Sequence, residues 1–391
     1  MALPQKIVLK EGREKPILQK HHWIFSGAVK SMPSKGKGGI LPVHNSSGEL
    51  LGHAMYNPDV NIIGRMVSFG TVNALEEIKN SIRTACQTRL NSFNPNNTNA
   101  FRLINGEGDY LPGLVVDKYH DVLVIQILTL GMDNIREVIL DELTEVCHPR
   151  AIYEKSTHGS RKEEGLQLVE GVVYGDNVGE VEIIENGLKF IVSPKKGQKT
   201  GFFLDQRRMR RRIGKISKGK RVLNCFSYTG GFSVYALDGG AVKVVSVESS
   251  LPAQTLEKRN VELNKLPEGR HEPNRSDVFD FLKKNPLDYD LVILDPPAYA
   301  KKRSDLKAAC KGYRDLNRLA LQKMPPGSLL LTCSCSGHIT GDLFQKILFQ
   351  ASAASGRKVQ IIGRHQLAID HPINIYHPET EYLKSLLLHI I

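Results

Sequence analysis

Several signatures of common protein classes are missing from this sequence. Its six cysteines include no C-x-x-C pair and no histidine at a spacing typical of zinc, so a metal site is not predicted. No apolar run approaches the ~20 residues of a membrane-spanning helix, and the N-terminus lacks the apolar core of a signal peptide. These absences predict a cytoplasmic protein with reduced thiols and no membrane partner.

Acidic residues are also in deficit. The 391 residues include 53 Lys and Arg against 41 Asp and Glu, which gives a formal charge of +12 at pH 7. A hydrophobic share of 41% is ordinary for a soluble protein, and the length predicts two or three domains. The surplus of positive charge favours a polyanionic partner, with nucleic acid as the first candidate.

The most informative stretch is 221–248, RVLNCFSYTGGFSVYALDGGAVKVVSVE. A short strand leads through a polar turn to Gly230 and Gly231, an apolar helix pattern follows, and a second strand ends at Glu248. This order is typical of an adenosine-binding α/β unit, in which glycines let the backbone approach the ligand. The stretch lacks the dinucleotide fingerprint and the phosphate loop, which favours a cofactor without phosphate, S-adenosylmethionine (SAM). An ordinary βαβ turn with a chance acid is the alternative.

Three later segments predict polar groups at the same edge of the sheet. Asp277 follows the expected third strand, and a buried strand, 291–294, runs directly into Asp295-Pro296-Pro297. Prolines cannot continue a strand, which leaves Asp295 at the carboxyl edge, where ligands bind in doubly wound sheets. The next strand, from Ser328, continues into Cys333-Ser334-Cys335-Ser336-Gly337. We expect Cys333 and Cys335 on one side, with Cys333 in the core and Cys335 in the polar loop at the crevice.

The pattern of strands and helices predicts three domains. Residues 1–70 read as a small β-rich module, 71–185 as a central α+β domain and 186–391 as an α/β domain. A final strand pair is expected at 359–362 and 382–388. We place the chemistry in the third domain, because the central region shows no metal or nucleophile constellation.

Basic residues concentrate beside the motifs. Five arginines crowd positions 207–212, just before the cofactor stretch, and the single tryptophan, Trp23, follows a His-His pair. We interpret these groups as candidates for phosphate or base contacts. A solvated helix face is the alternative for the arginines, and packing in a small core is the favoured role of Trp23. The RNA-contact candidates are Arg207, Arg208, Arg210, Arg211, Lys301, Lys302, Arg303, His21 and His22.

Together these blocks resemble a known family, the bacterial 23S ribosomal RNA large-subunit cytosine-C5 methyltransferases with an N-terminal PUA domain. GREKPILQKHHWIFSGAV resembles the start of the PUA domain, and NGEGDYLPGLVVDKY resembles the central domain. KTGFFLDQR, VLNCFSYTGGFSV, DPPAY, GYRDLN and TCSCSG resemble the catalytic blocks, in the same order. The resemblance implies a Rossmann-like class I methyltransferase domain with a seven-stranded, mostly parallel sheet, preceded by a PUA-like RNA-binding domain and a central α+β domain.

The resemblance also implies SAM as cofactor and 23S rRNA, in the large subunit or its precursor, as partner; it leaves a homodimer open. By position, Glu248 would hold the ribose, Asp277 would face the adenine and Asp295 would lie between cofactor and base. Cys335 matches the family's nucleophile. Glu248 stands where many relatives have Asp, and either carboxylate can reach the ribose diol. The implied cofactor-binding residues are Lys199, Asp205, Gln206, Asn224, Phe226, Ser227, Tyr228, Thr229, Gly230, Gly231, Glu248, Asn260, Asp277, Asp295 and Pro296.

The expected reaction is methylation of C5 of a cytosine. C5 is a poor nucleophile, and addition of a Cys335 thiolate at C6 would make the ring enamine-like, so that C5 can attack a methyl group. One alternative is methylation of an exocyclic amine, guanine N2 or adenine N6, by the Asp295-Pro-Pro-Ala-Tyr loop, a chemistry with no use for Cys335. A second alternative is a non-catalytic RNA-binding assembly factor, against which the intact cofactor loop argues.

Overall fold

The computed structural model describes residues 5–267, 269–300 and 302–391, which form two compact units. The first unit contains the chain up to Ile184 together with Val192–Leu204 and Ile369–Thr380. The second contains Glu185–Ile191, Asp205–Ala368 and Glu381–Ile391. The division of the sequence into three domains stays a prediction. The assignment of 192–204 and 369–380 to the first unit is a feature that no sequence pattern indicated.

A six-stranded mixed sheet forms the N-terminal part of the first unit, in the order β2-β6-β5-β4-β1-β3. Alternation along these strands buries one face, with Ile7, Val43 and Met66 fully enclosed in its core. The predicted β-rich module is therefore present. Its elements are β1 (Ile7–Leu9), α1 (Lys15–Leu18), β2 (Trp23–Phe25), β3 (Val29–Ser31), β4 (Ile40–His44), β5 (Leu50–Tyr56) and β6 (Ile62–Phe69).

A five-stranded sheet and its helices form a second part of the first unit, with the strands in the order β11-β10-β9-β8-β7. Asn73 caps the long helix by accepting hydrogen bonds from Leu75 N and Glu76 N. The helix buries Ile78 and Ile82, which are four residues apart on one face, in the core. Its elements are α2 (Ala74–Ser92), β7 (Ala100–Asn105), β8 (Leu114–Tyr119), β9 (Val122–Ile127), α3 (Leu130–Asn134), α4 (Arg136–Cys147), β10 (Ala151–Ser156), α5 (Ser160–Glu163) and β11 (Val169–Gly175).

A two-stranded hairpin leads into the sheet that carries the second unit, a seven-stranded sheet ordered β16-β15-β14-β17-β18-β20-β19. The central strands are buried and parallel, and β20 runs antiparallel to both of its neighbours. This is the doubly wound sheet, with its final strand pair, that the sequence predicted. The strands are β12 (Val181–Glu185), β13 (Leu188–Val192), β14 (Arg221–Cys225), β15 (Lys243–Val247), β16 (His271–Asn274), β17 (Leu291–Leu294), β18 (Leu329–Ser334), β19 (Val359–Arg364) and β20 (Lys384–Ile390).

Helices cover this sheet. Three of them, α9 to α11, share an apolar cluster with the strands, centred on residues such as Leu223, Leu294 and Leu316. Within the described residues no helix has both the length and the apolarity needed to cross a membrane. The helices are α6 (Arg207–Ile216), α7 (Gly231–Asp238), α8 (Leu251–Leu263), α9 (Val278–Lys284), α10 (Leu306–Lys323) and α11 (Gly341–Ser355).

Candidate active site

The loop after β14 has an unusual backbone. Phe226, Tyr228 and Gly230 have φ values of +60°, +50° and +79°. Residues with a side chain rarely adopt this left-handed conformation, and where they do the surrounding structure must hold them, often at a ligand site. At Gly230 an added Cβ would also lie 2.6 Å from Glu257 Cγ, so this position requires glycine on both counts.

A buried polar network lies beneath the loop. Ser227 Oγ donates to Glu257 Oε2 at 2.7 Å, and His271 Nε2 lies 3.4 Å from Glu257 Oε1. Sequence reasoning missed Glu257, because a glutamate in a helix usually faces solvent, whereas this one is fully buried. The network fixes the loop from below. It continues from His271 through Ser246 Oγ (2.9 Å) and Ser233 Oγ (2.8 Å) to Asn224 Nδ2 (2.8 Å).

Glu248 lies at the end of β15, where the predicted ribose-binding acid belongs. Its Oε2 accepts a hydrogen bond from Tyr228 N at 3.0 Å, and its Oε1 accepts one from Ser250 N at 2.8 Å. These bonds tie the half-buried carboxylate to the cofactor loop. A carboxylate can accept further bonds, so the geometry leaves room for a diol.

Asp277 and Asn260, two other predicted cofactor contacts, make hydrogen bonds to the backbone. Asp277 is exposed and caps α9, with Oδ1 accepting from Asp280 N at 3.0 Å, which leaves its second oxygen for a ligand. Asn260 is fully buried; its Oδ1 accepts from Ile191 N at 2.8 Å and its Nδ2 donates to Thr229 O at 2.9 Å. The prediction of Asn260 as a cofactor contact is corrected: both ends of its amide hold backbone, and it supports the loop instead.

The KTGFFLDQR block is divided between the two units. Gln206 Nε2 donates to Asp295 Oδ1 at 3.1 Å, and Tyr382 Oη donates to Asp205 Oδ2 at 2.6 Å. Both contacts lie within the second unit, and they join the end of the block to the Asp-Pro-Pro turn and to the segment just before β20. Lys199 belongs to the segment 192–204 of the first unit, where its ammonium lies 4.7 Å from the centre of the Phe203 ring.

Cys333 and Cys335 occupy different environments. β18 ends at Ser334, so Cys333 lies in the strand and Cys335 begins the loop that follows it. Cys333 is fully buried, and burial raises the pKa of its thiol well above the ordinary value. Cys335 is half-buried, with its Sγ 3.8 Å from Pro296 O. Asp295 directly follows β17 and Cys335 directly follows β18, and these two strands are parallel neighbours, so both residues lie at one edge of the sheet.

Four buried polar atoms around this edge have no hydrogen-bond partner within the part of the chain that the structure describes. Buried polar groups are normally paired, and exceptions concentrate where a ligand completes the pairing. A polar cofactor beside the loop would supply such partners, so the residues present fit SAM. These atoms are Gln206 Oε1, Asn224 Oδ1, Thr229 Oγ1 and Tyr299 Oη.

Helix α6 corrects part of the RNA-contact prediction. Arg207 and Arg210 are buried and pair with the fully buried Glu185, with Arg210 Nη2 2.6 Å and Arg207 Nε 3.3 Å from Glu185 Oε2. Neither guanidinium can reach a phosphate, because each serves as a buried counter-charge. Arg208 and Arg211 are exposed and remain candidates.

The remaining RNA-contact candidates also divide. Lys302 and Arg303 are exposed, whereas Lys301 lies outside the described residues. His22 is 1% exposed, and burial, followed by the charges of His377 and His21, lowers its pKa to about 3. A neutral, enclosed imidazole does not contact phosphate, so the prediction for His22 is corrected.

His21 is half-buried and belongs to a small cluster in the first unit. One donor atom each from His21, His377 and Glu379 lie within 4.8 Å of one another. Trp23 N donates to His21 Nδ1 at 3.2 Å, which leaves the ring proton on Nε2, the atom 3.6 Å from Glu379 Oε2. The Nε2–H can donate to Glu379. Because Nδ1 accepts from Trp23 N and Nε2 carries the proton, neither ring nitrogen is available to a metal ion.

Comparison with known proteins agrees with this geometry. The family model described as S-adenosylmethionine-dependent methyltransferase matches residues 166–368, and a PUA-like domain matches residues 7–69. Ribosomal RNA large subunit methyltransferase I of Serratia proteamaculans is 40% identical over 389 residues, covering 97% of this chain and 98% of the relative. The chain belongs to this methyltransferase family. The enzyme of the same name from Cronobacter sakazakii is 40% identical over 393 residues, covering 99% of both chains.

Solved structures show the same architecture. A SAM-dependent methyltransferase from Streptococcus mutans superposes with a TM-score of 0.85 at 26% identity, covering 99% of this enzyme and 100% of that chain. A second methyltransferase structure, in complex with SAH, gives a TM-score of 0.86 at 26% identity with the same coverage. The predicted fold class, family and SAM cofactor are confirmed, and the enzyme is a SAM-dependent methyltransferase.

Proposed function

We propose that the enzyme transfers the methyl group of SAM to C5 of a cytosine in 23S rRNA, in the cytoplasm, through a covalent bond between Cys335 Sγ and C6. One observation carries the proposal: Cys335 leaves the core at the end of β18, half-buried, with its thiol on the Asp-Pro-Pro turn. The names of the full-length relatives support large-subunit rRNA as the substrate.

The thiolate of Cys335 adds to C6, and the electron pair of the C5–C6 double bond moves into the ring. C5 then becomes the nucleophile. SAM, when bound, would supply the electrophilic methyl group and would leave as S-adenosylhomocysteine. The C5 proton then passes to solvent, the C5–H electron pair restores the C5–C6 double bond, and the C6–S electron pair leaves with sulfur as the thiolate of Cys335. Asp295, held by Gln206 Nε2, is placed to bond the cytosine edge at N3 or N4 and to support the charge that develops during addition.

Cofactor binding is assigned to the loop from Phe226 to Gly231, together with Glu248 and Asp277. The loop conformation, its buried supports and its unpartnered atoms support this assignment. RNA binding is assigned to exposed cations. The members of that set are Arg208, Arg211, Lys302 and Arg303. RNA affinity should therefore fall steeply with salt, because phosphate contacts release counterions.

The alternative of exocyclic-amine methylation draws on the same turn. Tyr299 follows Asp295-Pro296-Pro297-Ala298, and its hydroxyl is buried without a partner among the described residues. A base amine held by Asp295 needs no covalent step. Cys335 separates the two reactions, since its half-buried thiol has no task in amine chemistry.

The deciding experiment uses 23S rRNA fragments that contain 5-fluorocytidine. Fluorine at C5 cannot leave as a proton does, so the wild-type enzyme with SAM should remain covalently attached to the RNA, whereas Cys335→Ala should form no adduct. In parallel, 5-methylcytosine is mapped in 23S rRNA from cells with and without the enzyme. A methyl group found on an exocyclic amine, with no adduct, would replace this proposal by the alternative.

A further inference from the structure

Lys384 lies beside the proposed nucleophile. It is the first residue of β20 and pairs with Ser334, the last residue of β18, so its side chain stands next to the loop that begins at Cys335. Its Nζ donates to Ser336 O at 2.7 Å and to Tyr382 O at 2.6 Å. Two carbonyls therefore hold the ammonium, one of them belonging to Ser336, the residue after Cys335, and its third N–H is left for another acceptor.

This ammonium is enclosed. Lys384 is 8% exposed, and lysine is rarely buried to this extent without a counter-charge. Burial lowers the pKa of Lys384 to about 8, while the charges of Cys335 and Glu381 act to raise it. At neutral pH the group is therefore still largely protonated, and its charge is coupled to the ionisation of Cys335.

Three other titratable groups among the described residues interact with this site, Asp295, Tyr299 and Tyr313, and none of the three is a cation. Asp295 lies at the same edge, and its carboxylate opposes a second negative charge there. The charge of Cys335 raises the pKa values of Tyr299 and Tyr313, after the larger effect of their burial. Among the groups just named, Lys384 is the one that carries a positive charge. A thiolate beside Asp295 needs such a cation.

We propose that Lys384 is a positioning residue of the methyl transfer, whose ammonium holds Cys335 as the thiolate that attacks C6. The inference rests on the proposed covalent mechanism. The proton of the Cys335 thiol leaves to solvent, and the sulfur electron pair forms the S–C6 bond and returns to sulfur at elimination. Lys384 stays an ammonium throughout, with its orientation set by the carbonyls of Ser336 and Tyr382.

Alkylation tests this pairing without RNA or SAM. Iodoacetamide reacts with the thiolate and releases iodide, so the pH dependence of its rate at Cys335, followed by peptide mass spectrometry on the full chain, reports the thiol pKa. Lys384→Met should raise the midpoint by about one pH unit, which lowers the rate at pH 7 roughly tenfold. Lys384→Arg keeps the charge and should stay close to wild type.

Lys323 provides a matched control. Its Nζ donates to three carbonyls at the end of α9, Leu282 O, Lys283 O and Asn285 O, at 2.6, 2.7 and 3.0 Å. Lys323→Met removes the same charge and the same kind of contact from the same unit, and should leave the Cys335 midpoint unchanged. Cys310, also half-buried, is an internal reference in each digest. SAM binding checks the fold of every variant, and Lys384→Gln replaces Lys384→Met if that variant fails the check.

A midpoint unchanged in Lys384→Met would overturn the inference. So would equal shifts in Lys384→Met and Lys384→Arg, because packing rather than charge would then be responsible. In assays of methyl transfer, Lys384→Met should shift the pH–rate profile to higher pH and leave the KM for SAM unchanged. If Cys335→Ala still methylates RNA, the proposed function fails, yet the alkylation midpoint still reports whether Lys384 and Cys335 interact.

Discussion

Helix α6 directly precedes β14, the first strand of the seven-stranded sheet along the chain. The helix and the carboxyl edge of that sheet differ in how well the sequence predicts where their polar side chains lie. At the edge, Glu248, Asp295 and Cys335 lie where the order of strands predicted them. On α6, arginines that read as one basic surface separate into two faces: Arg207 and Arg210 pair with buried Glu185, while Arg208 and Arg211 are exposed.

The difference has a physical origin. In a parallel sheet the ends of the strands must meet at one edge, so a residue that follows a strand is placed by topology alone. A helix places its residues by angle, and the buried angle depends on its partner. Met209 and Ile213 mark the buried stripe of α6, and Arg210 lies three residues before Ile213, on the side of that stripe. The sequence therefore indicated which side of α6 is buried, but it did not indicate that Glu185 pairs with the arginines there.

The largest effect should come from the edge. Cys335→Ala should lower methyl transfer by at least about a thousandfold, because no other group replaces the nucleophile. Binding of SAM should be retained, since its proposed contacts come from other strand ends. Cys333→Ala is the matched control: it removes a buried thiol two residues earlier and should keep substantial activity. Rates of methyl incorporation and SAM titrations are measured for both variants. An active Cys335→Ala enzyme would show that Cys335 is not the nucleophile.

Helix α6 should give the next largest effect, on stability. Arg210→Ala leaves the charge of Glu185 short of its counter-ion, and breaking such a buried pair costs about 3–5 kcal/mol. Arg211→Ala, one residue along, should change the free energy of unfolding by less than about 0.5 kcal/mol. It should instead weaken RNA binding and reduce the salt dependence by about one ion. Urea unfolding and RNA titrations separate the two faces, and equal stabilities would contradict the division.

Much of the fold and part of the site could be predicted. Runs of apolar residues predicted the buried strand 291–294 and the final strand pair, and local motifs predicted the Gly230 loop and the position of Asp295. Contacts between distant segments could not be predicted. The support of the loop by Glu257, the burial of His22 beside His377 and the position of Lys384 beside Cys335 each depend on pairings that local pattern does not encode.

Gly230 allows a sharper test of the loop itself. Gly219 has a similar φ of +72° against +79°, but an added Cβ there meets nothing within 4 Å, whereas at Gly230 it meets Glu257. Gly219→Ala should therefore cost about 1 kcal/mol, from backbone strain alone. Gly230→Ala should cost about 2–3 kcal/mol and weaken SAM binding, because Glu257 must move. Unfolding and SAM affinity are measured for both variants; equal losses would mean that the network does not shape the loop.

The smallest effect should come from His22 in the first unit, and it should depend on pH. Burial holds the folded pKa of His22 at about 3, below the ordinary value of 6.5. Between these values the unfolded chain binds a proton that the folded chain does not, so stability falls as pH falls. From pH 6.5 to pH 5 the loss should be about 2 kcal/mol.

His22→Phe removes the titrating ring at similar volume and should flatten this dependence by the same amount. A smaller slope of the same sign should remain, because burial also lowers the pKa values of His44, His53 and His377. The single tryptophan, Trp23, lies in the neighbouring strand β2, so its fluorescence during urea unfolding of the full chain reports on this region. Identical slopes in wild type and His22→Phe would show that His22 is protonated in the folded enzyme. In that case burial would not change the protonation of His22 from that of a surface histidine. Helix α6 would then be the region in which burial gives charged residues a role that the sequence did not predict.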